Sequence, residues 1–295
     1  LHDSALFVSG ARRFVLGLAK KLLIANTLGK VADTVFATPS GELGMTLAWL
    51  GIVCYALQIY FDFSAYSDMA IGLGRMFGFR FLENFNYPYI ARSLRDFWRR
   101  WHISLSRWFR DYLYIPLGGN RGSPARTYAN LCIVFLLCGF WHGASWNFII
   151  WGGIHGAFLA IERAGLERLL ARLPTPVGHV YTLLVVLFAW VYFRAEDLGQ
   201  ANDYLLALLG LHEGRSVPGT VSGLLTADVL AALAAGILFS MPVYRRFSER
   251  WIIPRLASGG VAYGASQLLL IAGLLVVSAV FVAAGTYNPF IYFRF

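Results

Sequence analysis

Long apolar runs constrain this chain more than any other feature. Residues 264–285 carry no charged side chain, and residues 44–61, 177–193 and 227–243 are nearly as apolar. Two shorter apolar segments follow one another at 128–141 and 146–161. A bilayer core about 30 Å thick takes about 20 apolar residues of helix to cross. Composition agrees, since 58% of residues are hydrophobic and only 14% charged, against about a quarter charged in soluble domains. The sequence therefore predicts an all-α, polytopic integral membrane protein with transmembrane, interfacial and re-entrant helices, organised as one membrane domain over 1–295.

The formal net charge of +9 reads as lipid contact and cytoplasmic-loop charge, not as nucleic-acid binding. Arg245, Arg246, Arg250 and Arg255 mark one cytoplasmic stretch, and the arginine-bearing polar loop at 162–176 falls on the same side. Cys54, Cys132 and Cys138 sit in apolar runs without metal-ligand spacing, so no metal site or disulfide framework is expected. The chain begins at Leu1 without a signal-peptide pattern, which suggests the later part of a longer protein.

Polar residues placed near apolar sequence are the functional candidates. Asp62 and Asp68 follow the 44–61 run and are costly there unless paired or wet. Arginines of the 92–110 stretch are the expected partners. Gly72, Gly74 and Gly78 lie on a short helix expected from Met69 to Phe79, where small residues allow close packing. Gly152 and Gly156 show the same spacing. Between Arg92 and Asp111 the chain is dense in arginine and tryptophan. On one continuous helix, Leu94, Trp98, Trp101, Leu105, Trp108 and Tyr112 share a face. Arg92, Arg95, Arg99, Ser106 and Arg110 form the polar neighbour, with His102 on the border. Such a helix belongs at the interface or in a wet crevice.

Six histidines remain to be sorted. His2, His179 and His212 read as structural or solvated. His142 follows more than ten apolar residues; it is either a base at depth or a polar tie between helices. His155, flanked by glycine, is a third polar group of the same cavity or a packing residue. No Gly-x-Ser-x-Gly elbow, no His-Glu-x-x-His helix and no histidine with aspartate five residues later occurs, which removes the corresponding hydrolase, metalloprotease and soluble acyltransferase chemistries.

Five motifs together carry a resemblance: Tyr60-Phe-Asp-Phe-Ser-Ala-Tyr-Ser-Asp-Met-Ala-Ile-Gly72, Glu83-Asn-Phe-Asn-Tyr-Pro88, Phe97-Trp-Arg-Arg-Trp-His-Ile-Ser-Leu-Ser106, Phe109-Arg-Asp-Tyr-Leu-Tyr-Ile-Pro-Leu-Gly-Gly-Asn-Arg121 and Trp141-His-Gly-Ala-Ser-Trp-Asn147. They resemble the bacterial membrane-bound O-acyltransferase (MBOAT) family, in particular its alginate O-acetyltransferase branch, and the likeness runs on to Pro289–Phe295. The resemblance implies that His142 is the essential catalytic histidine and His102 its active-site partner. It makes Trp98, Arg99, Trp101, Ser106, Trp141, Ser145, Asn147 and His155 substrate-binding or supporting residues. The implied reaction uses no bound cofactor. Acetyl-CoA or another acyl donor arrives from the cytoplasmic side as substrate, with arginines as candidate contacts for a phosphate-bearing donor. The acceptor is a polysaccharide hydroxyl or a periplasmic acetyltransferase partner, served from a multi-pass protein of the bacterial cytoplasmic membrane. Family members carry further N-terminal spans ahead of the Leu1 region, so a C-terminal portion is expected. D-alanyl transfer to teichoic acid, a non-catalytic scaffold of an acetylation complex and a transporter are the alternatives. The Tyr-Ile-Pro-Leu-Gly-Gly-Asn-Arg run favours the polysaccharide branch.

Overall fold

The computed structural model describes residues 3–253, 261–284 and 290; His2, Arg255 and the closing 289–295 motif except Phe290 lie outside them. Every regular element among the described residues is helical. In chain order these are α1 (Ser4–Ala19), a π-helical stretch (Lys20–Ala25), α2 (Asn26–Phe36), α3 (Met45–Met76), α4 (Leu94–Trp98), α5 (Ile103–Phe109) and a second π-helical stretch (Arg110–Tyr114). Next come α6 (Pro124–His142), α7 (Trp146–Ile161), a π turn (Glu162–Leu166), α8 (Glu167–Arg172), α9 (Thr175–Arg194) and α10 (Leu198–Leu208). The last are α11 (Thr220–Leu224), α12 (Ala227–Phe239), α13 (Val243–Phe247), a π-helical stretch (Ser248–Ile252) and α14 (Val261–Ala283), and short 3₁₀ turns lie at Ser40–Glu42 and Pro88–Ile90.

Among the described residues, three helices are long and apolar enough to cross a membrane: Met45–Met76, Thr175–Arg194 and Gly264–Ala283. The pair Ala227–Phe239 and Val243–Ile252, bent by 65°, makes a fourth if taken as one span. The expected span at 146–161 is the 16-residue α7, about 24 Å of helix at about 1.5 Å per residue. The helical run goes on through the π turn at Glu162–Leu166 into α8, and α7 packs against α6 as a hairpin.

The chain divides into two compact units. One holds Leu1–Val31, Leu57–Glu83 and Leu224–Arg294. Within it α1 lies against the later part of α3 through glycines on both helices. A Cβ at Gly10 would stand 2.5 Å from the Gly72 carbonyl oxygen, and one at Gly17 would stand 2.8 Å from that of Ala65. The close approach brings cations onto the carboxylates of α3. Arg13 Nη2 lies 2.7 Å from Asp68 and also pairs with Glu83. Lys20 reaches Asp68 at 2.6 Å, and Lys21 pairs with Asp62 where both side chains are buried. The cations on these carboxylates thus come from the first helix, where the sequence pointed to arginines of 92–110. The pairing also explains why no separate helix starts at Met69. With its carboxylates neutralised, α3 runs unbroken for 32 residues to Met76.

The other unit holds Ala32–Ala56 and Asn84–Gly223. Its centre is the α6–α7 hairpin. Cβ atoms added at Gly139 and Gly152 would run into the carbonyl oxygens of Phe148 and Phe135, so the two backbones are in direct contact, as the glycine spacing predicts. α9 packs on α7, and α10 on α9. The Tyr204 hydroxyl donates to Ala48 O at 2.8 Å, and Arg194 pairs with Asp33 at 2.7 Å. The expected polar loop at 162–176 is helical as far as Arg172. Its acidic residues serve neighbouring helices: Glu162 is buried and Glu167 pairs with Arg95 at 3.1 Å.

Candidate functional site

The arginine-rich stretch is not one helix, and the break falls at His102. α4 ends at Trp98, and α5 begins at Ile103 with His102 at its N-cap in the left-handed region, φ +42°. A non-glycine residue there is strained and persists only where its surroundings impose it. Those surroundings are the Glu83-Asn-Phe-Asn motif. Asn86 N donates to Arg100 O at 2.9 Å, and Ile103 N donates to Asn84 O at 3.0 Å. Ser104 gives its backbone N–H and its hydroxyl to Asn84 Oδ1, each at 3.0 Å. The bracket grips the chain on both sides of His102. A helix period cannot reveal such a break, because its cause lies about 16 residues upstream. The predicted face is divided accordingly: Trp101 is buried, whereas Trp108 and Tyr112 are 53% and 70% exposed.

His142 is the last residue of α6. Ser123 caps the start of that helix by accepting from Arg126 N at 3.3 Å, with Pro124 in its first turn. Gly143 and Ala144 turn the chain, and Ser145 caps α7 by accepting from Asn147 N at 3.3 Å. Asn147 is buried and donates to Ala195 O at 2.7 Å, tying the start of α7 to the end of α9. The Trp-His-Gly-Ala-Ser-Trp-Asn motif is therefore a helix end, a turn and a helix start, with the imidazole at the corner.

The half-buried His142 ring sits in an aromatic box. Trp151 and Phe193 meet it edge-on, with centroids 5.1 and 5.0 Å away, and Phe148 closes another side at 6.3 Å. Trp151 is the hub, in contact also with Trp98, His155, Trp190 and Phe193. Trp101 stacks on Phe97 at 5.7 Å and touches Trp190 at 5.2 Å. The box thus reaches from His142 to the residue beside His102. Burial pushes the His102 imidazole down to about 3, and the neighbouring His142 adds to the effect. At neutral pH His102 is uncharged, able to donate one hydrogen bond and accept another. Its Nδ1 lies 3.4 Å from the Ser104 hydroxyl.

The other expected residues divide by position. His155 is fully buried; its Nδ1 accepts from Trp98 Nε1 at 3.3 Å, and Phe97 and Phe135 flank the ring. Trp98, Trp101 and His155 belong to the box. Ser106 donates to Trp101 O at 3.3 Å and braces the turn. Trp141 is half exposed and touches His142 from outside, and Arg99 is exposed. Arg95 and Arg110 are engaged with Glu167 and Asp111 on the surface. His179 Nδ1 lies 3.1 Å from Ala91 O and His212 Nδ1 accepts from Gly214 N at 2.9 Å, in keeping with structural roles.

Sequence reasoning passed over Trp151, Trp190 and Glu162. Trp151 stands four residues before His155, on the same helical face, which is the signal that could have found it. Glu162 directly follows the apolar 146–161 run and is 2% exposed. Its carboxylate accepts from Leu94 N at 2.6 Å and Arg95 N at 3.1 Å, holding the first turn of α4. Burial raises its pKa, and the two backbone N–H groups pull it back in part. Glu162→Ala leaves a buried N–H without its acceptor, which costs about 1–3 kcal/mol. The expected outcome is a lower thermal midpoint in detergent together with slower turnover. An unchanged midpoint shows that α4 is held by packing alone.

The helices that build the box fall within a stretch similar to known proteins. The family model described as "MBOAT, membrane-bound O-acyltransferase family" matches residues 2–198, which include every residue of the box. The chain is 41% identical to "Probable alginate O-acetylase AlgI" of Azotobacter vinelandii, over 100% of this chain and 63% of that protein. It is 56% identical to the protein of the same name in Pseudomonas aeruginosa, over 67% of this chain and 38% of that protein. It is 45% identical to "Peptidoglycan O-acetyltransferase" of Helicobacter pylori, over 68% of this chain and 38% of that protein. The chain therefore spans less than two thirds of the length of these relatives. With the matched residues covering the helices that build the box, the chain belongs to the membrane-bound O-acyltransferase family.

Proposed function

We propose that this chain carries the catalytic part of a membrane O-acetyltransferase that modifies a polysaccharide. The observation that supports this best is His142 in an aromatic box that reaches Trp101, the residue beside His102, within the family-matched residues. His142 accepts the proton of the acceptor hydroxyl, and His102 positions or polarises the acyl group. Both roles suit neutral imidazoles held by packing and not by charge. The two relatives named as alginate O-acetylases and the one named as a peptidoglycan O-acetyltransferase point to a polysaccharide hydroxyl as acceptor. A periplasmic acetyltransferase that takes the group onward fits the same chemistry. The acyl donor is acetyl-CoA or another activated acetyl compound, used as substrate on the cytoplasmic side. The protein works as a multi-pass component of the bacterial inner membrane, in contact with lipid along its apolar helices.

The test compares secreted polymer from cells with and without the full-length protein. Proton NMR should show O-acetyl resonances only in the first case. Equal O-acetyl content in the two samples removes the proposal.

A further inference from the structure

Three ring nitrogens of the box have no hydrogen-bond partner among the described residues: Nε1 of Trp151, Nε1 of Trp190 and Nε2 of His155. Each of these residues is at most 1% exposed. An indole Nε1 is a donor and nothing else. His155 is fixed by its other nitrogen: because Nδ1 accepts from Trp98, the neutral ring carries its proton on Nε2. The box therefore contains three buried N–H donors, on Trp151 and on two rings packed against it. Trp151 stands 5.0 Å from His155, 6.1 Å from Trp190 and 5.1 Å from His142, ring centre to ring centre.

Buried donors left without acceptors are costly, and native interiors rarely keep several together. The chemistry of the set states what it would receive. It has donors only, so its ligand is an acceptor. It has no cationic side chain, so a carboxylate or phosphate would be buried without a counter-charge. Its walls are flat and apolar. A neutral carbonyl oxygen meets all three conditions, and an acyl ester or thioester brings one.

We propose that Trp151, Trp190 and His155 form the receptor for the acyl carbonyl oxygen and hold it as it gains negative charge. This rests on the acyl-transfer reading given above. The acceptor hydroxyl passes its proton to the imidazole of His142, and its oxygen bonds to the acyl carbon. The carbonyl electron pair moves onto oxygen, which takes hydrogen bonds from the three N–H groups. As the pair returns, the bond from carbon to the leaving thiol breaks, and the thiolate takes the proton back from His142. Fixed donors aimed at such an oxygen are among the largest single contributions to acyl transfer, and removing one lowers kcat by about 10²–10³-fold.

The test uses the full-length protein in proteoliposomes with acetyl-CoA, its polymer acceptor, and thiol release as readout. Genetically encoded benzothienylalanine at position 151 keeps both rings and replaces the N–H with sulfur. It should lower kcat by about 100-fold and leave KM within about twofold, and Trp151→Phe should give a comparable fall. If Trp151→Phe is impaired while benzothienylalanine retains the wild-type kcat, the indole only packs and the proposal is overturned. A raised KM with unchanged kcat overturns it as well. Should the wild-type protein itself release no thiol and label no polymer, the acyl-transfer reading fails first, and the two failures are distinguished.

Discussion

His142→Ala in the full-length protein should lower O-acetyl transfer by about 10³-fold and leave the protein's thermal midpoint close to wild type. The size follows from the role: a positioned general base contributes about 10²–10⁴-fold. The small effect on stability follows from the site. His142 is half-buried at the end of α6, and the box around it is held by Trp151, Trp190 and Phe193 contacting one another. Removing the imidazole takes away a wall tile and not a keystone. His142→Gln should be equally inactive, since an amide keeps a polar group at the corner but cannot take up the proton. Polymer O-acetyl content read by NMR gives the activity, and unfolding in detergent gives the stability. Transfer within tenfold of wild type for either variant assigns the base elsewhere.

The second large effect lies in the other unit. Lys21→Met should destabilise the protein by about 3–5 kcal/mol, because it leaves the buried Asp62 carboxylate without its cation. Asp62→Leu alone should do similar harm by stranding the ammonium. Together the two changes remove both charges and leave apolar side chains of comparable bulk, so most of the loss should return. The double-mutant cycle, read from detergent-solubilised protein, decides the matter. Additive losses mean that Lys21 and Asp62 act independently and the pair has no coupling. This pair also accounts for α3, whose apolar first part continues into Asp62 and Asp68 without a break.

The parts of the fold that depend on one helix at a time were legible in the sequence. The apolar runs became helices, and the spacing of Gly152 and Gly156 marked a close helix approach, which the α6–α7 hairpin makes. The motif flanking His142 marked a helix corner. What the sequence concealed were effects imposed from a distance. Asp62 and Asp68 looked like interruptions because their partners, Lys21, Lys20 and Arg13, stand about 40–55 residues earlier in the chain. The stretch around His102 looked like one amphipathic helix because its residues repeat at helical spacing. Only the bracket from Asn84 and Asn86 forces the left-handed residue between α4 and α5. Glu162 looked like loop charge because its ligands are backbone N–H groups, which no residue pattern displays. Trp151 was hidden by plenty: among nine tryptophans, only its place four residues before His155 set it apart.

The π-helical stretch at Lys20–Ala25 begins where two of the ion pairs to α3 form. A π turn is an α-helix that has accepted one surplus residue without unwinding. Everything beyond it is rotated by about 100° relative to an uninterrupted helix. Here the widened turn begins with Lys20 and Lys21, adjacent in sequence yet seated on two different carboxylates, Asp68 and Asp62. Neighbouring side chains on a helix point about 100° apart, and Asp62 and Asp68, six positions apart on α3, lie about 120° apart around it, so each lysine meets its own carboxylate. The widened turn thus carries at its start the two ammonium groups that let α3 keep Asp62 and Asp68 next to its apolar run.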